Sequence, residues 1–251
     1  MTPSEEFVYE LSKHSFLSLW SYPNPKRKND KELCDVLIFC EPDIIIFSVK
    51  EIKPTESGDI KIDYKRWKKT ALEESFKQIY CAERYLNTIK NLKLFDGSVG
   101  SKLPTNEKRI YHRIAVVIGG EKKMPLLWGD MGKGFIHVFD LISAEILISE
   151  LDTITDFVKY LNKKEEFYNS GKISKLIFEG GEEDLLAFYL SNSEEFKTEG
   201  TFTVLDFGLW DEYKDSDANK KWMEDIKESI VSHAWVIIIK SYFIFFGKII
   251  K

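Results

Sequence analysis

The chain contains few cysteines and few turn-forming residues for its length. Only 3 cysteines, 14 glycines and 7 prolines occur among its 251 residues. The cysteines, at Cys34, Cys40 and Cys81, lack the spacing of a zinc module, and their odd number does not suggest a disulfide framework. Because two of them lie within one apolar segment, we interpret them as reduced core residues and expect a cytoplasmic protein.

The sequence also lacks an overall basic charge, and its first residues lack the apolar region of a signal peptide. The net charge of −5 excludes a protein whose whole surface attracts nucleic acid. Residues 1–113 nevertheless hold 20 Lys and Arg against 17 Asp and Glu, so local positive charge is expected in the N-terminal half. The first residues, MTPSEEFVYEL, are too polar for a signal peptide. The segment GDMGKG at 129–134 lacks the Lys-Ser/Thr of a phosphate-binding loop and is predicted to be a hairpin turn.

The longest apolar stretch covers residues 234–251 and is interrupted by Lys240 and Lys248. We predict two buried strands here, with a turn near Lys240, and a single membrane anchor is the alternative. On the preferred interpretation the protein has no membrane partner.

The segment from Lys31 to Lys53 combines two apolar runs with two buried charges. The runs flank a short polar turn and predict a β-hairpin. Strand alternation places Ser48 and Lys50 on one face, and antiparallel pairing brings Asp35 opposite them. A carboxylate and an ammonium are costly in buried strands unless they meet each other, a metal or a ligand. A purely structural Asp35–Lys50 ion pair is the alternative to a functional site.

Two predicted helices flank this hairpin in the sequence and carry polar candidates. The first begins at Ser4 and places Glu6 and Glu10 one turn apart, either as solvated acids or as further acidic ligands beside Asp35. The second runs over about residues 66–90. Beside its apolar stripe this helix has a stripe of small or polar residues. The stripe either allows the helix to lie close to a sheet and brings a glutamine to the site, or it is a flank of the helix that is half exposed to water. This stripe is formed by Ser75, Gln78 and Ala82.

Two basic segments adjoin the same region. One is the loop of Lys26, Arg27 and Lys28, directly before the hairpin. The other is DYKRWKK at 63–69, where four cations surround an aromatic residue, namely Lys65, Arg66, Lys68 and Lys69. Each segment is either a solvated surface or a set of phosphate contacts.

The remaining chain continues the α/β pattern. Buried strands are predicted over 110–118 and 135–139, and a short one over 201–207. Helices are predicted over 153–167 and 217–231. We therefore predict a core at residues 1–120 and its continuation over residues 121–251, with no separate second domain.

The order of these elements resembles the PD-(D/E)XK, or restriction-endonuclease-like, nuclease superfamily over residues 4–118. A helix with acids precedes a strand with Asp35, a strand ending in Lys50, and a helix with Gln78. The resemblance implies an α/β fold with a mixed central β-sheet flanked by helices. It also implies an Mg²⁺-dependent (or Mn²⁺-dependent) endonuclease, with DNA favoured over RNA and a role in bacterial antiviral defence.

The resemblance assigns roles to individual residues. Asp35 would be the central metal ligand and Glu6 or Glu10 a second acidic ligand. Lys50 would orient the attacking water or offset developing negative charge, and Gln78 would position water or phosphate.

One position departs from the family pattern. The family has Asp or Glu two residues before the lysine, where this chain has Ser48. Either Glu6 or Glu10 supplies the missing acid, or Glu51 does so from the other strand face, or the domain binds nucleic acid without cleaving it. An inactive nucleic-acid-binding module and a partner-binding subunit therefore stay open. No helix-turn-helix or zinc module is readable, so a protein partner or a second copy of the chain would provide target recognition.

Overall fold

The computed structural model describes residues 1–120, 124, 126–171, 176–178, 180–197, 203–216 and 219. The chain divides into two units, Met1–Lys175 and Leu176–Lys251, which are described separately below. The strands predicted over 234–251 and, apart from residue 219, the helix predicted over 217–231 lie outside the described residues.

The first unit is built on a six-stranded mixed sheet, and a separate two-stranded hairpin accompanies it. The sheet order is β1-β2-β3-β6-β8-β7, while β4 pairs with β5. Neighbours among the first three strands are antiparallel, β3, β6 and β8 are parallel, and β7 returns antiparallel to β8. In chain order the strands are β1 Ser21–Pro23, β2 Val36–Cys40, β3 Asp43–Glu51, β4 Asn91–Lys93, β5 Val99–Lys102, β6 Ile110–Ile118, β7 Gly129–Asp130 and β8 Phe135–Phe139.

Helices flank this sheet, which confirms the predicted mixed α/β architecture. They are α1 Pro3–Phe16, α2 Ile60–Trp67, α3 Glu74–Leu86, α4 Leu141–Glu150 and α5 Ile154–Asn169. A π-helical segment, Lys68–Glu73, joins α2 to α3 into one continuous helical stretch. This stretch starts before the predicted residue 66, because the Asp59 side chain accepts hydrogen bonds from the free N–H groups at its first turn.

Alternation along the central strands assigns α3 to one face of the sheet. Leu37, Ile44 and Ile46 share a hydrophobic cluster with Leu72 and Ile79 of the helical stretch. These strand residues have the same parity as Asp35 and Ser48, whose side chains therefore face α3 as well.

The opposite face is covered by α1. This helix begins at a capping box in which Thr2 and Glu5 bond each other's backbone, so the predicted start at Ser4 is wrong by two residues. Ser4 donates a hydrogen bond to Glu51 at 2.5 Å, and Glu51 alternates with Lys50 along β3. The two helices therefore lie on opposite sides of the sheet, and only α3 lies on the side of Asp35.

The second unit contains two parallel strands and two helices in its described residues. They are β9 Leu176–Phe178, α6 Glu182–Ser191, β10 Thr203–Leu205 and α7 Leu209–Lys214. The buried Asp184 accepts hydrogen bonds from the backbone N–H groups of Gly208 and Trp210, at 3.2 and 2.8 Å, and so fixes the start of α7. In neither unit does a helix of the described residues have the length and apolarity needed to cross a membrane.

Candidate active site

Asp35 lies at a bend directly before β2, with only 1% of its surface exposed. The pairing of β2 with β3 brings it to the end of β3, as the hairpin pattern predicts. Its Oδ2 accepts a hydrogen bond from the backbone N–H of Val49 at 2.5 Å, and its own N–H donates to the Phe47 carbonyl at 3.2 Å. These two contacts hold the Asp35 carboxyl group beside the end of β3, next to the residues that precede Lys50.

Gln78 of α3 reaches this carboxyl group from above the sheet. Its Nε2 donates to Asp35 Oδ1 at 3.0 Å, and its Oε1 accepts a hydrogen bond from the Ser48 hydroxyl at 2.6 Å. Ser75 and Ala82 on the same helix are fully buried, and their small side chains allow the helix to approach the sheet. The polar stripe of α3 thus delivers Gln78 to Asp35, and Ser48 fixes the orientation of the glutamine amide.

Lys50 is half-buried at the end of β3. In the described part of the chain, no hydrogen bond or ion pair engages its ammonium group. Its charge still lowers the pKa of Asp35, so the two groups lie within electrostatic range. The structural ion pair considered as an alternative is therefore not formed, and the Lys50 ammonium remains available to an anionic ligand.

Glu32 is an acid at this site that the sequence pattern does not predict. It lies three residues before Asp35, and the strand alternation extended back from β2 places the two on opposite faces. The chain is not a regular strand here, because it bends at Asp35. The Glu32 carboxyl consequently lies close enough to the Asp35 carboxyl to raise the pKa of Asp35. The available signal was the short spacing of two acids beside a strand end.

This carboxyl pair changes the ionisation of Asp35. Burial, as the larger cause, and the contact with Glu32, as the second, raise the pKa of Asp35 from 3.8 to about 7. The Val49 N–H, the charge of Lys50 and the Gln78 amide oppose this shift. Near neutral pH Asp35 is therefore only partly ionised, and a cation that binds to it must displace a proton.

Asn24 adds an uncharged oxygen beside the pair. Its Nδ2 donates to Glu32 Oε2 at 3.1 Å, and its backbone N–H donates to the Asp35 carbonyl at 2.9 Å. Its Oδ1 is buried and has no hydrogen-bond partner among the described residues. A buried acceptor of this kind is costly unless a ligand satisfies it.

Glu6 and Glu10 are not brought to this site. Glu10 forms an ion pair with Lys13 at 2.7 Å, and Glu6 is exposed on α1. Because α1 covers the opposite face of the sheet, neither acid contacts Asp35, which corrects the expectation that one of them serves as its partner. Glu51 points to that opposite face too, where it binds Ser4.

The two basic segments differ in their surroundings. Lys26, Arg27 and Lys28 form a loop whose stem includes Glu32, since Lys26 and Glu32 face each other in an antiparallel bridge. In the second segment three of the predicted cations are exposed and Lys68 is half-buried. The exposed ones are Lys65, Arg66 and Lys69.

The oxygens of this site fit a hard divalent cation held by few protein ligands. Mg²⁺ is commonly bound through one or two carboxylates, with water and substrate phosphate completing its coordination. Asp35 and Glu32 supply two carboxyl groups, and Asn24 supplies the unsatisfied carbonyl oxygen. No group of three or more His, Cys, Asp or Glu side chains converges anywhere in the described ranges, so a larger protein cage is not formed there.

We expect Ser48→Ala to weaken the link between α3 and the sheet. The change leaves Gln78 Oε1 without its donor, and such a loss costs about 1–2 kcal/mol of unfolding free energy. A double-mutant cycle of Ser48→Ala with Gln78→Met, measured by urea unfolding, should give a coupling energy of about 1 kcal/mol. The matched cycle with Ser75→Ala, whose hydroxyl donates to the Ala71 carbonyl instead, should give almost none. Equal coupling in both cycles would contradict the contact.

The chain was compared with known protein families, curated proteins and solved structures. No protein-family model matches the chain, and no curated protein and no solved structure is significantly similar to it.

Proposed function

We propose that the protein is a divalent-metal-dependent nuclease that hydrolyses phosphodiester bonds, with DNA as its first-choice substrate. The observation that carries this proposal is the buried Asp35 carboxyl, held by Val49 and Gln78 and close to Glu32, beside the ammonium of Lys50, which no described residue engages. The motif order that resembles PD-(D/E)XK nucleases supports it further. In this proposal Glu32 replaces the acid that the family pattern expects at Ser48.

Asp35, Glu32 and the Asn24 carbonyl would hold Mg²⁺ or Mn²⁺. When bound, such an ion stabilises charge on the phosphate and lowers the pKa of a nearby water. Asp35 is positioned for this role because Val49 and Gln78 hold both of its oxygens. The ion would also compensate the negative charge of the two neighbouring carboxyl groups.

Lys50 would act on the phosphate and the attacking water. Its half-buried ammonium can stabilise the negative charge that develops on the phosphorus oxygens and can orient the water by donating a hydrogen bond. Gln78 would help to position the same water, because its amide is held in one orientation by Ser48 and Asp35.

Incubation of the purified protein with supercoiled plasmid and Mg²⁺ or Mn²⁺ tests this proposal. We expect the wild type to nick or linearise the plasmid, and Asp35→Ala and Lys50→Ala to lose on the order of 100-fold in rate. Lys53→Ala, an exposed lysine three residues further on, is the matched control and should retain activity. Cleavage that persists in both site variants would rule the assignment out.

An inactive nucleic-acid-binding module is the second candidate. The specific observation in its favour is that the Ser48 hydroxyl, which stands where the family has a carboxylate, is committed to Gln78. In the same assay this candidate predicts no cleavage by the wild type with either ion. It also predicts DNA affinity that Asp35→Ala leaves unchanged.

A further inference from the structure

A basic and aromatic strip extends from the carboxyl pair across the first unit. It consists of the loop 26–31 and the hairpin 90–102, which contains β4 and β5. The backbone N–H of Lys26 donates to the Lys93 carbonyl at 2.8 Å, and Lys93 Nζ bonds Asp30 at 2.6 Å. These two contacts join the loop and the hairpin into one surface, which we call the strip.

The strip carries strong local positive charge in an acidic protein. Residues 26–31 hold four cations and one acid, and residues 90–102 hold three cations and one acid. The whole chain, by contrast, has a net charge of −5. A cluster of this sign attracts polyanions locally even where the net charge does not.

One exposed ring, Phe95, lies among these cations, and a second, half-buried ring, Tyr85 of α3, borders them. Phe95 lies at the hairpin turn with 61% of its surface exposed, and Lys26 Nζ lies 4.9 Å from its ring centroid. The Tyr85 hydroxyl accepts a hydrogen bond from the Lys28 backbone at 2.8 Å, and the guanidinium carbon of Arg27 lies 6.0 Å from the ring centroid of Tyr85. The exposed ring of Phe95 keeps apolar surface in contact with water, and a base stacked on the ring would remove that surface from water.

The turn that presents Phe95 is held by its own hydrogen bonds. Asp96 Oδ1 accepts from the Ser98 N–H at 2.9 Å and from the Ser98 hydroxyl at 2.6 Å, and the backbone N–H of Leu94 donates to the Ser98 carbonyl at 2.9 Å. Gly97 takes a positive φ of 85°, which a residue with a side chain rarely adopts. The backbone that carries Phe95 is therefore held by contacts within the turn itself.

The other basic segment lacks this arrangement. Of its two aromatic residues, Trp67 is only 1% exposed and donates its indole N–H to the Ile52 carbonyl at 3.1 Å. Tyr64 is half-buried and stacked on the Trp67 ring. The exposed cations Lys65, Arg66 and Lys69 therefore have no exposed ring between them.

We propose that the strip binds an unpaired stretch of nucleic acid, with a base stacked on Phe95 and the phosphates along the lysines. Bases in a duplex already stack on each other, so only an unpaired base can offer its face to the ring. The strip meets the carboxyl pair through the bridge between Lys26 and Glu32. This route would lead the strand to Asp35, and that last step rests on the proposed nuclease function.

Binding without hydrolysis tests the strip separately from the nuclease. Fluorescence anisotropy in EDTA would compare labelled oligo(dT) and oligo(U) of about 20 nucleotides with a duplex of equal length. We expect a single strand to bind more tightly than the duplex. Phe95→Ala should weaken single-strand binding about tenfold and leave duplex binding unchanged. The ratio of dT to U affinity identifies the sugar that the strip prefers.

Val99→Ala is the matched control, because Val99 is 77% exposed on the same hairpin and lies outside the cation–aromatic contacts. It should change single-strand binding by less than about twofold. Thermal unfolding of both variants checks that the hairpin remains folded. Equal affinity for duplex and single strand, or equal effects of the two variants, would overturn the proposal. Failure of plasmid cleavage alone would leave the binding result standing.

Discussion

Replacement of Glu32 by Gln is expected to lower Mg²⁺-dependent cleavage on the order of 100-fold, as strongly as replacement of Asp35. The amide removes one of the two charges that would hold the ion. It retains an oxygen that can accept the hydrogen bond from Asn24, so the local fold should survive. A plasmid-cleavage time course at saturating Mg²⁺ measures the loss, and circular dichroism checks the fold.

Two acids on the other side of the sheet provide matched controls. Glu6→Gln and Glu10→Gln remove the same charge from α1, where Glu10 is paired with Lys13. Both variants should cleave within about twofold of wild type, because exposed surface substitutions away from a site have small effects. If Glu10→Gln lost cleavage activity while Glu32→Gln kept it, the second acidic ligand would be on α1, as the family resemblance implies.

The second large effect concerns stability. Asp35→Asn is expected to raise the free energy of unfolding in EDTA by about 2 kcal/mol near pH 8, while it abolishes cleavage. The pKa of Asp35 rises from 3.8 to about 7 on folding, mainly because the charged form loses its hydration. The folded state therefore prefers the protonated acid. Stability from this group is fully present below pH 3.8 and is lost as the pH rises through about 7.

Asn resembles the protonated acid at every pH, so the gain should appear only where wild-type Asp35 is charged. The full shift corresponds to roughly 4 kcal/mol, and we expect about half because the amide must also rearrange Gln78. Urea unfolding at several pH values between about 4 and 8 measures the difference, which should fall steadily towards the acidic end, where only the cost of rearranging Gln78 remains. A constant difference across this range would contradict the raised pKa.

Asp63 offers a control of opposite sign. Hydrogen bonds from Thr55 and Ser57 lower the pKa of Asp63. Its folded-state pKa lies below the unfolded value, so Asp63 contributes stability above pH 3.8 that is lost as the pH falls further. Asp63→Asn should therefore destabilise the protein near pH 8 where Asp35→Asn stabilises it, and equal signs would show that the amide itself causes both effects.

The contrast between the two acids indicates what Asp35 is for. A group that destabilises the fold at neutral pH, held in place by Val49 and Gln78, is typical of a functional site, because selection for stability alone would replace it. A bound cation would neutralise the charges of Asp35 and Glu32, and the Asp35 carboxylate would then no longer destabilise the fold. This is the energetic argument for a ligand at Asp35, and it does not depend on the family resemblance.

The central hairpin and its contact with α3 could be predicted from the sequence. Two short apolar runs with a turn fix the pairing of β2 with β3, and strand alternation then places Asp35, Ser48 and Lys50 on one face. The small stripe around Gln78 correctly indicated a close approach of the helix. These features follow from local periodicity, which a sequence displays directly.

The second acid could not be predicted in the same way. Glu32 reaches Asp35 only because the chain bends before β2, and alternation misplaces any residue beyond such a bend. Glu6 and Glu10 were chosen because their helix precedes the hairpin, but periodicity does not say which side of a sheet a helix covers. That side is decided by contacts such as Ser4 with Glu51 and Phe16 with Phe157.

The hairpin of the strip could not be predicted from periodicity either. Residues 91–109 have no apolar period, yet 91–102 forms a hairpin around the turn of Asp96 and Gly97. Its strands are only three and four residues long, so turn chemistry carries the signal and periodicity does not.

Calorimetric titration of Mn²⁺ into the metal-free protein tests for a metal centre at Asp35 and Glu32. Such a centre predicts one ion per chain in the wild type, and proton release near pH 7 that is seen as a dependence of the heat on the buffer. It predicts loss of this binding in Asp35→Asn and Glu32→Gln, and retention in Glu10→Gln. Mn²⁺ binding that both site variants retain, or a wild type that binds no Mn²⁺, would contradict a metal centre at Asp35 and Glu32.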